Sequence, residues 1–197
     1  MTKPRVRFAG FAVLALTSLG CSVSPKARFY QLAPTAETSS GAKLAYAVAV
    51  GPVSIPSAVD RPQIVVQVAP NRVEIDEFSR WIAPLDEAIA RVVAANLEIL
   101  LGTDDVTATQ VPSTRSGARV AIDVQSFDST LGKGVTVDAA WTIRFAGAKE
   151  PYTGYTLARE TAAGDSYDAL AAAHSRALGR VSVDIAAAIR AMAARVK

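Results

Sequence analysis

The residue types best suited to chemistry are few and widely separated in this chain. Cysteine and histidine occur once each, as Cys21 and His174, so they cannot form the sets of several Cys or His ligands that hold zinc. Gly132-Lys133-Gly134 lacks the glycine spacing and the following Ser or Thr of a phosphate-binding loop. Asp123 and Asp128 are better interpreted as a solvated strand surface than as an acid–base pair. We therefore expect no metal, no cofactor and no enzymatic activity.

The first residues have the pattern of an export signal. Three basic residues precede a short apolar run, 8–19, which is followed by Gly20-Cys21. This order of segments is typical of a secretory signal peptide. The apolar run is shorter than the about 20 residues that cross a bilayer as a helix. We predict a cleaved signal peptide over 1–20.

Gly20-Cys21 resembles the lipobox of bacterial lipoproteins, in which cleavage precedes a cysteine that carries diacylglycerol. That pattern usually has Leu three residues before the cysteine, where this chain has Ser18. The resemblance implies that Cys21 is the lipid attachment residue, which also removes its thiol from nucleophilic catalysis. We expect 21–27 to be the lipidated N-terminus and tether, and 28–197 to be one domain. The alternative is ordinary secretion, with Cys21 an incidental thiol.

The charge balance gives no reason to expect an anionic partner. The chain has 21 basic and 18 acidic residues, but three basic residues and no acidic residue lie in the predicted signal peptide. The rest of the chain therefore carries equal numbers of each. A neutral domain offers no electrostatic argument for binding nucleic acid or an anionic membrane surface. Because no cysteine follows Cys21, the domain must be held by packing without a disulfide.

Periodicity predicts two helices among many strands. Helical spacing of apolar residues predicts one helix that opens at Pro84 and ends at Gly102, and a second after the cap Asp165-Ser166. His174 lies on or beside the apolar face of the second helix, so a packed histidine is favoured over a catalytic base. The predicted strands are 28–32, 45–53, 63–68, 72–76, 106–110, 119–127, 135–145 and 154–162.

This order of elements is that of an α+β domain. We predict a single domain in which two long amphipathic helices pack on one face of a mostly antiparallel sheet. The other sheet face is then a candidate for contact with a partner. Strands 63–68 and 72–76 are expected to form a hairpin with one solvated face, since apolar and polar residues alternate in the second of them.

One dense stretch of unusual residues stands out as a candidate binding site. It is Asp60-Arg61-Pro62-Gln63, together with Arg80-Trp81 downstream. Pro62 presets an extended backbone and keeps Arg61 out of a helix, while Trp beside Arg is the type of anchor enriched at protein interfaces. We expect Asp60, Arg61, Pro62, Gln63, Arg80 and Trp81 to shape a partner-binding surface. The alternative, which chemistry alone favours, is that they lock the loop onto the start of the first helix.

A longer set of motifs resembles the ABC-type transport auxiliary lipoproteins. The resemblance covers nearly the whole chain after Cys21 and rests on Arg28-Phe29-Tyr30-x-Leu32, Val50-Gly51-Pro52-Val53-x-Ile55-Pro56, Asp60-Arg61-Pro62-Gln63-Ile64-Val65, Arg80-Trp81-x-x-Pro84-Leu85, Asn96-Leu97 and Trp141. One departure is Ala58-Val59, where that family often has an aromatic residue before the aspartate.

The resemblance implies a lipoprotein anchored in the outer membrane of a Gram-negative bacterium and facing the periplasm. Ser22 after the lipid site is consistent with that sorting. Such proteins are accessory subunits of ABC/MCE-type systems that move lipids or hydrophobic solutes between membranes, so the implied partners are an MCE-domain protein and an ABC permease. The alternative is a periplasmic lipid or small-molecule binding module with a cavity between sheet and helices. Homo-oligomerisation and the transported substrate are left open.

Overall fold

The structure, a computed structural model, describes residues 25–38, 42–108 and 117–195. Predicted segments 1–20 and most of 21–27, including Cys21, lie outside these ranges. The elements in chain order are β1 (Arg28–Tyr30), β2 (Val48–Ser54), β3 (Gln63–Ala69), β4 (Arg72–Trp81), α1 (Leu85–Leu101), β5 (Val106–Ala108), β6 (Ala118–Thr130), β7 (Gly134–Phe145), β8 (Tyr152–Thr161) and α2 (Tyr167–Arg195). The α+β class with two helices is thereby confirmed.

The larger sheet has five strands in the order β5-β2-β6-β7-β8. Strands β6, β7 and β8 are antiparallel neighbours, and a short turn that contains Gly132 joins β6 to β7. Strand β2 is parallel to both β5 and β6, because the long connections that carry α1 allow the chain to return in the same direction. Pro52, which cannot donate to a ladder, lies at the register irregularity between β2 and β6.

A smaller sheet of three strands, in the order β1-β4-β3, was not predicted as a separate unit. Its hairpin of β3 and β4 is antiparallel, and β1 adds to β4 in parallel. The domain thus has two mixed sheets in which the long pairings are antiparallel. The smaller sheet packs against β6 through β3, and its buried residues Ile64, Val66 and Trp81 join the common core.

Both helices cover the same face of the larger sheet and touch each other. Helix α1 begins after Pro84 and ends at Gly102, whose left-handed φ of 64° is the conformation glycine adopts readily at a helix end. The hydroxyl of Ser166 caps α2 by accepting the amide of Ala169 at 3.2 Å. Five large apolar side chains of α2 are at most 1% exposed and belong to the common core, namely Leu170, Leu178, Val181, Ile185 and Ile189.

The N-terminal segment after β1 lies across both helices and is held by the buried side-chain amide of Asn96 on α1 and by Ser175 on α2. The Asn96 side-chain oxygen accepts the backbone amides of Thr35 and Ala36, both at 2.9 Å. Its nitrogen donates to the Ser182 hydroxyl on α2 at 3.3 Å. A hydrogen-bonded buried amide of this kind tolerates few replacements, because its loss strands several polar groups. Asn96 thus ties three parts of the chain together.

Candidate functional site

Asp60, Arg61 and Pro62 form the exposed end of the loop between β2 and β3. The loop is held by its own backbone: Val59 and Asp60 donate their amides to the Pro56 carbonyl at 3.0 and 3.2 Å. The amide of Arg61 donates to the Val59 carbonyl at 2.8 Å. The side chains of Asp60 and Arg61 make no hydrogen bond or ion pair to any other residue that the structure describes. They project into solvent from a fixed turn.

The structure brings this loop together with the second predicted segment. The amide of Trp81 donates to the Pro62 carbonyl at 2.7 Å, and Gln63 lies directly opposite Arg80 in the β3–β4 ladder. Strand β1 pairs with the other edge of β4, and there Phe29 lies opposite Arg80. Since opposed residues share a face of a sheet, Phe29, Arg80 and Gln63 form one row across the three strands. We call this the 29–80–63 row.

Glu77 links the two polar members of the 29–80–63 row. Gln63 Nε2 donates to Glu77 Oε2 at 3.0 Å, and Arg80 Nε donates to the Glu77 backbone carbonyl at 2.7 Å. The Arg80 guanidinium also approaches the Glu77 carboxylate at 3.5 Å. Exposed ion pairs of this kind stabilise by at most about 1 kcal/mol. The network therefore orients Gln63 and Arg80 at the surface without removing them from solvent.

Trp81 lies beneath this surface and is not part of its accessible area. Its side chain is only 6% exposed and packs edge-on against Phe127, with ring centroids 6.2 Å apart, and against His174 at 6.1 Å. Edge-to-face aromatic contacts add about 0.5–1.5 kcal/mol beyond the burial of area. Of the six predicted residues, Trp81 can shape a binding surface only by fixing the end of β4 from below.

His174 is a packed core residue, as the sequence favoured. It is fully buried on α2, stacks on Phe127 with ring centroids 3.8 Å apart, and shares a 2.8 Å hydrogen bond between Nε2 and the Ser129 hydroxyl. Its Nδ1 has no partner among the described residues. Burial without a charged neighbour disfavours the imidazolium and lowers the pKa of His174 to about 3. A neutral, unreachable ring has no role as a general base here.

An apolar patch on the outer face of the smaller sheet was missed from the sequence. Val73 and Ile75 are 56% and 40% exposed, and Phe29 in the adjoining row is 61% exposed. The alternation in β4 suggested that its apolar residues face the core, but the pairing shifts irregularly between Gln63 opposite Arg80 and Val65 opposite Ile75. The shift moves the second half of β4 to the other face. The first half therefore turns its apolar side to solvent.

Asp76 stabilises that irregularity. Its carboxylate accepts the Phe78 amide at 2.8 Å and the Ser79 hydroxyl at 3.0 Å, so the disrupted ladder leaves no stranded donor at Phe78. Arg28 of β1 lies 3.9 Å away as an ion-pair partner. The hydrogen bond from Phe78 is the main reason that the pKa of Asp76 is below its usual value. This carboxylate thus belongs to the scaffold of the site.

The two aspartates that the sequence raised as candidates for acid–base chemistry each bind a nearby serine. Asp123 is exposed and accepts the Ser54 hydroxyl at 2.6 Å, while Asp128 accepts from Ser126. Within 25–38, 42–108 and 117–195, no group of three or more His, Cys, Asp or Glu is arranged to hold a metal ion. None of the helices described there is long and apolar enough to cross a bilayer.

Comparison with protein families finds one matching model, described as "ABC-type transport auxiliary lipoprotein component", over residues 30–186. No curated protein matches the chain.

Two solved structures have the same fold. One is an uncharacterised protein with 19% sequence identity and a TM-score of 0.68, covering 84% of this chain and 99% of its own. The other is protein XCC0632 from Xanthomonas campestris, of family DUF330, with 18% identity and a TM-score of 0.67, covering 81% of this chain and 93% of its own.

Proposed function

The chain belongs to the family of ABC-type transport auxiliary lipoprotein components, and from this we propose that it is an outer-membrane-anchored accessory subunit of an ABC/MCE-type intermembrane transport system. In this role it docks to a periplasmic MCE-domain protein, and through it to the ABC permease, and holds that partner near the outer membrane. The transported molecule is a lipid or another hydrophobic solute. The protein contributes position and contact, with no chemical step of its own.

The observation that carries the docking proposal is the joining of the two motif segments at one exposed surface. The Pro62–Trp81 backbone hydrogen bond and the opposition of Gln63 to Arg80 place Asp60, Arg61, Pro62, Gln63 and Arg80 side by side. We call these five residues the docking surface. Arg61 and Asp60 are unpaired among the described residues, so they are available to a partner's charges. The apolar patch beside them supplies area that a partner can bury.

The anchor proposed at Cys21 limits how far the docking surface can lie from the membrane. Arg28, the first residue of β1, follows Cys21 so closely along the chain that the connection spans at most about 25 Å when fully extended. A tether of this length raises the effective concentration of the domain for any partner held at the same membrane. Anchoring then becomes part of how the protein acts. Ser22 supports sorting to the outer membrane.

Capture from detergent-solubilised envelopes tests the proposal. A C-terminally tagged chain should recover an MCE-domain protein and an ABC component. Arg61→Glu should reduce recovery at least about fivefold, the loss expected when a contact residue is worth about 1 kcal/mol. Arg144→Glu is the matched control, since Arg144 is an exposed arginine of β7 in the other sheet. Recovery of neither component by the unaltered chain would overturn the proposal.

The anchor has its own test. Cys21→Ser should move the protein from the membrane fraction to the soluble periplasm and abolish incorporation of a labelled fatty acid. Unchanged fractionation and migration would contradict lipidation at Cys21, whatever the outcome of partner capture.

A further inference from the structure

The exposed turn between β3 and β4 has apolar side chains on both of its faces. Gln67 lies opposite Val73 in the ladder, so these two residues share a face, and Val68, the next residue of β3, points to the other face. Val68 is 40% exposed and Val73 is 56% exposed. Turns at the surface are usually built from small polar residues, glycine and proline, so two exposed valines are unusual here. We call residues 68–73 the hairpin tip.

The hairpin tip carries one charged residue, the cation Arg72. Its side chain is exposed and makes no hydrogen bond or ion pair to another residue that the structure describes. No acidic residue occurs between Arg61 and Val73, and the next one along the chain, Glu74, points to the face opposite Val73. A free guanidinium can bind a phosphate while its aliphatic stem lies on apolar surface. The hairpin tip therefore has the composition of a segment that contacts the headgroup region of a bilayer.

The direction of β1 relates the hairpin tip to the proposed lipid anchor. β1 pairs with β4 in parallel, and Arg28, its first residue, lies opposite Ser79 near the end of β4. Because parallel strands run in the same direction, β1 points, from its last residue to its first, towards the start of β4 at Arg72. The N-terminal end of β1 therefore faces the hairpin tip.

The length of chain between Cys21 and β1 matches the distance to the hairpin tip. The connection from Cys21 to Arg28 spans at most about 25 Å when fully extended. The part of β4 from Arg72 to Ser79 has as many residues as that connection and measures about 24 Å along the strand. A lipid on Cys21 can therefore lie level with the hairpin tip. Any protein partner placed between the tip and the membrane would have to fit within this short reach.

We propose that the hairpin tip contacts the surface of the membrane in which the lipid of Cys21 is inserted. Val68 and Val73 enter the boundary between headgroups and acyl chains, and the Arg72 guanidinium binds a lipid phosphate. A fluid interface can surround side chains on both faces of a hairpin, whereas a flat protein surface covers only one face. The inference rests on the anchor in the proposed function, since so small an apolar contact needs the effective concentration that a tether supplies.

This contact orients the docking surface. β3 runs from Gln63 at the docking surface to Ala69 in the hairpin tip, a length of about 20 Å. A domain that stands on the hairpin tip therefore holds the docking surface away from the membrane, where a periplasmic partner can reach it. Val73 of the apolar patch belongs to the tip, whereas Ile75 and Phe29 lie nearer the docking surface.

Fluorescence quenching in vesicles tests the inference. The lipidated full chain is reconstituted in phosphatidylcholine vesicles with and without bromine in the acyl chains, and acylation of Cys21 is verified by mass spectrometry. Since the chain has one cysteine and its thiol carries the lipid, an environment-sensitive dye can be attached at one introduced cysteine. The labelled variants are Asn71→Cys in the hairpin tip and, as controls, Asp60→Cys in the docking surface and Lys149→Cys between β7 and β8.

Quenching by brominated lipid should be at least about threefold stronger at position 71 than at either control position, because the controls lie about 20 Å or more from the tip. Val73→Glu should weaken the quenching at position 71 by at least about threefold, since a carboxylate is costly to place in an apolar interface. Val183→Glu is the matched control, because Val183 is an exposed valine of α2, and it should leave the quenching unchanged.

Equal quenching at positions 71 and 60, or none at position 71 in acylated protein, would overturn the inference and leave the anchor intact. A blue-shifted emission at position 71 without quenching would show that the hairpin tip is buried against a second copy of the chain, and would also overturn it. Absence of an acyl chain on Cys21 would contradict the anchor itself, and the inference with it. Mass spectrometry and quenching therefore distinguish the two failures.

Discussion

The carbonyl of Pro62 and the amide of Trp81 are joined by a 2.7 Å hydrogen bond that connects an exposed loop to a buried aromatic residue. Pro62 is exposed, whereas Trp81 packs against Phe127 and His174 in the core. Pro62 has no amide to donate, so its carbonyl is the only backbone group by which it can be held. The core packing of Trp81 therefore helps to fix the position of Pro62 and of the loop that carries it.

Replacement of Trp81 should test this dependence. Trp81→Ala removes a buried aromatic and should lower the free energy of unfolding by about 3–5 kcal/mol, measured by urea denaturation. Phe29→Ala is the matched control, because Phe29 is in the same small sheet but 61% exposed, and should change stability by less than about 0.5 kcal/mol. Similar small effects of the two substitutions would contradict the core position of Trp81.

His174 should make the domain less stable in mild acid. Its pKa is lowered from 6.5 to about 3 by burial, so the unfolded chain binds a proton that the folded chain does not bind until the pH falls to about 3. Stability should therefore be complete above about pH 6.5 and fall between there and about pH 3, by about 2 kcal/mol on going from pH 7 to pH 5. Urea denaturation at both pH values measures this loss.

The control for that prediction uses the fact that the chain has one histidine. His174→Gln keeps a polar group near Ser129 but cannot titrate in this range, so its stability should change much less between pH 7 and pH 5. A variant with the same pH dependence as the unaltered chain would show that other groups are responsible.

Asn96 should be required to hold the segment after β1 across the helices. Asn96→Ala removes the acceptor for the amides of Thr35 and Ala36, and should lower the free energy of unfolding by about 2–3 kcal/mol, since each stranded polar group costs about 1–3 kcal/mol. In this variant, amide hydrogen exchange should accelerate more at Thr35 and Ala36 than in α1. Asn71→Ala, in the exposed β3–β4 turn, is the matched control and should change neither quantity.

The effects of substitutions at Gly179 and Thr35 on stability should be coupled, because the two residues are in close contact. A Cβ at position 179 would overlap the Thr35 hydroxyl, so Gly179→Ala should destabilise by about 1–3 kcal/mol despite the better helix propensity of alanine. In a Thr35→Ala background the same substitution should be neutral or stabilising. A double-mutant cycle measures the coupling. Additive effects would mean that the segment does not lie against α2 at this point.

The helices and most strands were predictable because their signals are local. Pro84, Gly102 and Ser166 mark helix ends by backbone chemistry that acts within one turn, and the alternation of β6 and β7 fixes which side chains are buried. The separate small sheet was not predictable in this way. It depends on the irregular pairing of Gln63 and Val65 with Arg80 and Ile75, and a shift between distant residues leaves no periodic trace in the sequence.

The candidate site, like the fold, could be predicted from the sequence only in part. The sequence motifs drew attention to both segments of the proposed docking surface, but their opposition in one ladder and the burial of Trp81 became visible only in the fold. The exposure of Val73 and Ile75 was not predicted, because the alternation indicates a two-sided strand without saying which side faces water. Asn96 carried a usable signal: it is a polar residue within an apolar helical run, with Leu97 beside it, a position where a buried polar group needs partners.

Site-specific photocrosslinking in intact cells tests the central claim most directly. A photoreactive amino acid replaces Arg61 in the docking surface or, as the control, Arg144 in the larger sheet, and the crosslinked products are identified by mass spectrometry. Crosslinks from position 61 to an MCE-domain protein, with none from position 144, are the predicted result. Crosslinks to that protein from neither position, or equally from both, would contradict docking through the surface formed by Asp60, Arg61, Pro62, Gln63 and Arg80.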